Sequence, residues 1–417
     1  MESIKLDNII VNENRVDYIF STSKGLEKYF NKPNNLFINY DVDISEIPKS
    51  ILAIPFISIV LPIIWSTNSI LWIEEVDRTY YDSIHNIKRA YQEMYPHFPL
   101  RGTVVPAKTI YNAYTVEREV IQLFTGGIDS SCTFIRNKDK NPILVNIYGW
   151  FDDKVKDNKV FDGDKKDIRL FSENQGNQCN FVGSNFCTFI KNNIFNKDFQ
   201  KKIGETLWFG FQHSMAFISI TIPLAYMYKC RNIFIASSNT LGYRKCNASD
   251  PTTDIEFKFA TVGGVVHDGF ELTRQDKSSV ISRYQEESKE DYFLRVCSFN
   301  DENCCECEKC FRTILGLVAE GSDIERFGFN ISTDLKSHFK RVMEQKIHLM
   351  GLEMENDIYW DEIKNRMMEE KYRLEYKEFV EWFMNYDFIE ERKRGVRKYR
   401  LENFIPLVKK KIKEVWE

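Results

Sequence analysis

VIQLFTGGIDSS, running from Val120 to Ser131, is the stretch on which the reading of this chain turns. Val120 to Phe124 is an apolar, β-branched run that predicts a strand, and the residues from Asp129 onward are compatible with a helix. Gly126 and Gly127 stand between them. With no Cβ to hold an anion away, such a turn presents backbone N–H groups inward, and the helix behind it adds its positive end. A bare glycine pair is more simply a tight turn capped by Asp129. The hydroxyls of Thr125, Ser130 and Ser131 and the strand-to-helix setting favour a phosphate cradle spanning Thr125, Gly126, Gly127, Ile128, Asp129, Ser130 and Ser131. A carboxylate beside phosphates makes sense if it holds Mg²⁺ or orders the loop, so Asp129, with Ser130, is the expected catalytic pair.

Working outward, strand and helix patterns alternate from Val116 to about Gly321. Strands are expected at Pro142 to Tyr148, Asn180 to Gly183, Asn232 to Ser237 and Phe293 to Ser298. Helices are expected at Lys165 to Asn174, Glu205 to Tyr228, Lys277 to Tyr292 and Glu308 to Glu320. The alternation predicts an α/β fold with a central parallel sheet and helices on both faces. Before it, residues 1–115 read as an α+β domain with strands at Asp17 to Thr22 and Asn35 to Tyr40 and a helix from Arg78 to Met94. The uncharged stretch Ile51 to Ile73 is long enough to span a bilayer. Pro55, Pro62 and the turn cluster Ser66-Thr67-Asn68-Ser69 instead suggest a buried hairpin, with strands Ile57 to Trp65 and Ile70 to Glu75. After the nucleotide-binding region, 116–322, residues 323–417 read as a helical domain: Leu335 to Met350, Trp360 to Glu370, Tyr376 to Tyr386 and Leu401 to Trp416.

The 417 residues are 43% hydrophobic and 14% aromatic, which excludes general disorder and implies more than one core. Lys plus Arg (57) against Asp plus Glu (61) leaves a net charge of −4, so any contact with nucleic acid has to be local. No basic region followed by an apolar run opens the chain, and a cytoplasmic protein that does not enter a membrane is expected. Half of the ten cysteines fall between Cys297 and Cys310. That crowding in a polar run implies metal rather than disulfides. Cys297, Cys304, Cys307 and Cys310 are within reach of one tetrahedral Zn²⁺, with Cys305 able to replace Cys304, and an iron–sulfur centre is the competitor.

TGGIDS resembles the SGGxDS signature of the PP-loop ATP pyrophosphatases, with Thr125 in place of the usual serine. A Walker A loop would need a lysine that is missing here. With the cysteine run near the end of the same region, the segment Val120 to Gly321 is similar to the 7-cyano-7-deazaguanine synthases of queuosine synthesis and their relatives. Lys277 ahead of the cysteine cluster, Arg312 after Cys310, and Ser237-Ser238-Asn239, where that family has a Gly-x-Asn substrate segment, agree with the likeness. The family's GYPDC-type stretch is echoed only by Gly242-Tyr243 and Asp250-Pro251, and the flanking domains have no counterpart in the short housekeeping enzyme. The resemblance therefore implies a specialised relative, of the kind found beside surface-polysaccharide or antiviral-defence genes. Such an enzyme splits ATP between the α and β phosphates, adenylates a carboxylate or amide oxygen, and passes the group to a nitrogen nucleophile. ATP, Mg²⁺ and Zn²⁺ are the implied cofactors. A tRNA sulfurtransferase and a catalytically idle nucleotide-binding subunit of a larger complex are the alternatives.

Further candidates rest on position. Ser237, Ser238 and Asn239 end a strand, and His267 and Asp268, followed by Glu271, Arg274 and Lys277, end another. Ligands of open α/β sheets sit there, and these residues are expected to contact the acceptor. Asp152 and Asp153 also follow a strand. Gln212 and His213 are a polar pair in an apolar helix that either face a cleft or pack in the core. From Glu391 the chain is strongly basic, which is either a solvated helix face or a contact for nucleic acid or an acidic protein. The expected partners are the acceptor, small or macromolecular, a nucleic acid or protein at this tail, and a second copy in a homodimer.

Overall fold

A computed structural model of the chain describes residues 2–31, 35–149, 158–242, 244, 246–297, 300–346, 358–369 and 377–404. The chain forms two compact units, Met1–Thr273 and Arg274–Glu417. The boundary expected at 115 falls inside unit 1, because the leader strands and the α/β strands belong to one sheet, and the one expected at 322 falls inside unit 2, which begins with α9.

In chain order, unit 1 contains β1 (Ser3–Asn12), β2 (Arg15–Thr22), β3 (Leu36–Asn39), α1 (Lys49–Thr67), β4 (Ile70–Asp77), α2 (Arg78–Met94), β5 (Thr103–Ile110), β6 (Arg118–Leu123), α3 (Ile128–Asn137), β7 (Ile143–Tyr148) and α4 (Asn158–Gln175). It continues with β8 (Cys179–Ser184), α5 (Phe186–Phe189), α6 (Asn192–Ile203), α7 (His213–Met227), β9 (Cys230–Ala236), α8 (Pro251–Asp254), β10 (Lys258–Phe259) and β11 (Gly263–Asp268). Unit 2 contains α9 (Arg274–Ser288), α10 (Glu308–Ala319), α11 (Leu335–Lys346), α12 (Ile358–Glu369), α13 (Lys377–Met384) and α14 (Phe388–Glu402).

The strands of unit 1 form a single sheet in the order β10-β11-β9-β6-β7-β8-β3-β2-β1-β4-β5. The run from β11 to β8 is parallel, while β3 pairs antiparallel with β8 through Ile38 opposite Ser184 and Asn39 opposite Gly183. The sheet is therefore mixed, with a parallel half continued by the leader, rather than parallel throughout. Helices cover both faces of the parallel half. Gln122 of β6 and Asp268 of β11 reach α3 on one side. Leu123, Ile235 and His267, in register and opposite in phase, face the other side, where α7 packs. Phe124, Phe134 and Phe171 form an aromatic cluster between the sheet edge, α3 and α4, with centroids 4.9–6.0 Å apart.

The expected hairpin at Ile51 to Ile73 is instead the helix α1, every residue of which from Ser50 to Trp65 is buried. An interior proline costs a helix about 3 kcal/mol, and α1 holds two, Pro55 and Pro62. Each buried Ile, Leu or Phe side chain returns roughly 1.5–3 kcal/mol, and α1 carries more than enough of them to outweigh both prolines. The helix is apolar all round because it is covered all round. By length and composition it could cross a membrane, and 89% of its apolar window is buried inside the protein. The turn cluster keeps its place as a helix end: Asn68, at φ 55°, is the left-handed cap of α1, and β4 starts two residues later.

In unit 2 the expected strand Phe293 to Ser298 is not a strand in its described residues, 293–297. Its backbone bonds go to the short 3-10 turn Ile324–Phe327, with the Leu294 N–H donated to the Phe327 carbonyl 3.1 Å away. The helical reading of the C-terminal region holds for α11 to α13. Of the helix expected at Leu401 to Trp416, residues 405–417 lie outside the described residues, and α14 ends at Glu402.

Candidate functional site

The order of the parallel half sets the site. From β6 the chain steps to β7 and β8 on one side, then returns to β9 on the other, so the direction of winding reverses between β6 and β9. In open α/β sheets the crevice beyond the carboxyl ends of such a strand pair is where ligands bind. Three of the segments singled out by sequence leave the sheet at this edge: Thr125 to Ser131 after β6, Ser237 to Asn239 after β9, and the end of β11 at His267 and Asp268.

The first segment is a strand, a two-glycine turn and a helix start. Gly126 takes φ 73°, a conformation that a side chain strains, and Gly127 is the residue ahead of the first helical position of α3. The loop is braced from inside. Ser130 Oγ accepts from the Thr125 N–H at 3.3 Å and donates to the Gly127 carbonyl at 3.2 Å, while the Gln122 amide donates to the Ser130 carbonyl at 2.8 Å. Ser130, expected as a catalytic group, is thus a buried brace of the loop. Asp129 lies in the first turn of α3 and is half-buried. The N–H groups of that first turn have no acceptor within the helix, and the buried Ser131 hydroxyl has no hydrogen-bond partner.

At the second segment, the Ser237 N–H donates to the Asp268 carbonyl at 2.8 Å and the Ser237 hydroxyl to the Asn239 carbonyl at 2.8 Å. Ser238 is exposed and Asn239 is buried. Asp268 ties β11 to α3, accepting from Thr133 Oγ1 at 2.8 Å, with Arg136 3.6 Å away and bonded to Glu271 at 2.6 Å. His267 points to the other face. Its Nδ1 lies 2.8 Å from Asp254 Oδ2, Asp254 accepts from Ser214 at 2.6 Å, and the buried His267 Nε2 has no partner. Burial raises the Asp254 pKa. Asp250 caps α8 and is held by Arg244 through two bonds of 2.7 and 2.8 Å. Its pKa falls: burial pushes upward, and Arg244 and Thr252 more than offset it. Sequence reasoning missed the Ser214, Asp254 and His267 chain, because nothing local marks Asp254. Arg274 and Lys277 lie in unit 2, in the first turn of α9, with Lys277 buried.

Gln212 and His213 face the protein interior, His213 half-buried at the edge of the core. Gln212 is buried, and the His213 ring packs edge-on to Trp208 and Phe217 at 5.1 and 5.3 Å. Burial pushes its pKa down to about 4. Asp152 and Asp153 lie outside the described residues.

Unit 2 carries the metal-binding geometry. The Sγ atoms of Cys297, Cys304, Cys307 and Cys310 all lie within 4.8 Å of one another, with Cys304 and Cys310 3.9 Å apart. Zn–S bonds of about 2.3 Å in a tetrahedron put sulfurs about 3.8 Å apart, so this cluster could hold one metal ion such as zinc. Four thiolates on the separate irons of a cubane would have to stand farther apart. Cys304 Sγ also accepts from the N–H groups of Glu306 and Cys307, at 3.4 and 3.3 Å. Contact among the thiols sets their acidity: Cys297 pushes Cys304 upward, Cys307 and Cys310 pull it down, and it settles at about 6. Cys305 is the outsider. At φ 53° it turns away, its thiol donates to the Asn303 carbonyl at 3.6 Å, and burial raises its pKa to about 11.

A residue with no sequence signature holds this centre together. Asn303 Oδ1 accepts from the N–H groups of Val296 and Cys297, at 3.1 and 3.3 Å. Its Nδ2 donates to the carbonyls of Leu294 and Gly328, at 2.7 and 3.3 Å. One side chain thus pins the segment bearing Cys297 to the loop bearing Cys304 and Cys307, which leads into α10 and Cys310. His338 adds a contact of 2.8 Å to the Cys305 carbonyl.

No family model, curated protein or solved structure matches the chain.

Proposed function

We propose that this protein is an ATP-dependent, AMP-forming enzyme that activates a carboxylate or amide oxygen and transfers the activated group to a nitrogen nucleophile. The observation that carries the reading is the Thr125 to Ser131 turn, set at the reversal of winding between β6 and β9 with Gly126 at positive φ and the first turn of α3 behind it. The leaving pyrophosphate binds the N–H groups of that turn, where the helix end and amides favour an anion. Asp129, in the first turn of α3, would be the residue to hold Mg²⁺, whose chemistry there is charge neutralisation. The substrate oxygen attacks the α phosphorus, the bond to the bridging oxygen of the β phosphate breaks, and pyrophosphate leaves with the electron pair. The nitrogen nucleophile then attacks the activated carbon, AMP departs, and the nitrogen gives up a proton. Ser237 to Asn239 follow β9 and Asp268 ends the neighbouring β11 at the same edge, where they orient the acceptor.

The test is to incubate the protein with α-labelled ATP, Mg²⁺ and a metabolite extract. AMP and pyrophosphate should form in equal amounts, and Asp129→Asn and Gly126→Ala should abolish both. Formation of ADP, or tight ATP binding with no AMP from any fraction, would refute the reading, the latter in favour of an idle nucleotide-binding subunit.

A further inference from the structure

Helix α14, in unit 2, is an amphipathic helix whose charged side is left open. Of its residues only Phe388 is buried. At about 100° per residue, Phe388, Ile389, Val396 and Tyr399 share one side, and Lys393, Arg394, Arg397, Lys398 and Arg400 fall within a single arc of about 160° on the other. Two of these charges are answered locally, Lys393 by Glu390 and Arg394 by Glu391, each at 2.8 Å. Arg397, Lys398 and Arg400 are exposed and have no carboxylate partner among the described residues. Cations near a helix C-terminus gain a little from the helix dipole, about 0.3–1 kcal/mol each, but that effect fades beyond the last turn, whereas this stripe runs for about 10 Å. The stripe also stands on a chain whose net charge is −4.

We infer that this face of α14 binds the phosphodiester backbone of a nucleic acid. Two features support that partner. Three of the five cations in the arc are arginines, whose planar forks match phosphate oxygens in pairs. Just past the helix end lies Phe404, 66% exposed, as a surface on which a base can stack. The inference does not rest on the proposed ATP chemistry, since α14 and the glycine turn lie in different compact units.

The experiment uses the full chain and fluorescence anisotropy, with a labelled single-stranded RNA of about 20 nucleotides, DNA of the same sequence, an RNA duplex, and labelled polyglutamate as the acidic-protein probe. The wild type should bind nucleic acid with affinity that falls as salt rises from about 50 to 200 mM. Arg397→Glu/Lys398→Glu/Arg400→Glu should weaken binding at least about tenfold. The milder Arg397→Gln/Lys398→Gln/Arg400→Gln should flatten the logarithmic salt slope for the single strand by about 2. Unchanged circular dichroism and metal content would show that both variants fold. The arm with the highest affinity identifies RNA or DNA, single or double strand, as the source of the phosphates. Equal binding by wild type and both variants, or binding of polyglutamate with none of any nucleic acid, would overturn the assignment.

Discussion

The glycine turn of unit 1 and the cysteine centre of unit 2 are both short motifs visible in the sequence, yet they are held in opposite ways. The turn hangs from the end of β6, a strand bonded on both sides within a large apolar core, and needs only Ser130 and Gln122 to brace it. The thiols stand on chain with no ladder under it. Their geometry comes from Asn303, from N–H bonds to sulfur, and from whatever ion the thiolates share. A site on a sheet inherits its rigidity, while a site on a loop and a helix start has to carry more of its own.

That contrast is open to attack. The largest effect should come from removing metal. Chelation or Cys307→Ser is expected to unfold the region around the thiols, since a structural zinc site supplies on the order of 10 kcal/mol, while unit 1 keeps its fold. Metal analysis should give about one zinc per chain, and limited proteolysis should cut first between 291 and 330. Unchanged proteolysis after complete metal removal would break the comparison.

Next in size is Asn303→Ala. It strips partners from two N–H groups and two carbonyls, and should cost about 2–4 kcal/mol, read in chemical denaturation of the metal-loaded protein. The same denaturation performed on Gln122→Ala should show a smaller loss, because the sheet beneath the glycine turn remains.

In unit 1 the core makes its own prediction. His213 has a pKa near 4 when folded against 6.5 when free, so between those values the unfolded chain binds more protons. Stability is therefore fully present above pH 6.5 and is lost as pH falls toward 4, by on the order of 2 to 3 kcal/mol. His213→Phe should flatten this dependence in thermal melts of unit 1. A wild-type melt insensitive to pH across that window would contradict the buried neutral imidazole.

The smallest expected effect is Cys305→Ser, at roughly 1 kcal/mol with metal content unchanged. Loss of metal there would make Cys305 a ligand after all. Its thiol, held up at about 11, should also resist alkylation at neutral pH.

Much was legible in residues that act on their near neighbours. Arg78–Met94 is helical over the range its pattern predicts, with Asp77 as its cap. The glycine turn lies between a strand and a helix, and three of the four thiols lie within one turn of chain. Readings failed where the deciding partner is distant. Ile51 to Ile73 reads as a hairpin because its prolines are local and the surfaces that bury it are not. Phe293 to Ser298 has the composition of a strand, but Asn303 and the 3-10 turn ending at Phe327 take the bonds that a ladder would have used.

The sequence by itself determined the local chemistry: where the chain turns, which residues can face an anion, and that clustered thiols call for a metal. Only the tertiary structure decided that β3 joins β8 to make one sheet of leader and α/β region, that Cys304 rather than Cys305 completes the thiolate set, and that Asp254 meets His267. The physical reason is range. Backbone conformation and ligand type are set within a few residues, whereas pairing, burial and the direction of a side chain depend on surfaces brought together from across the chain.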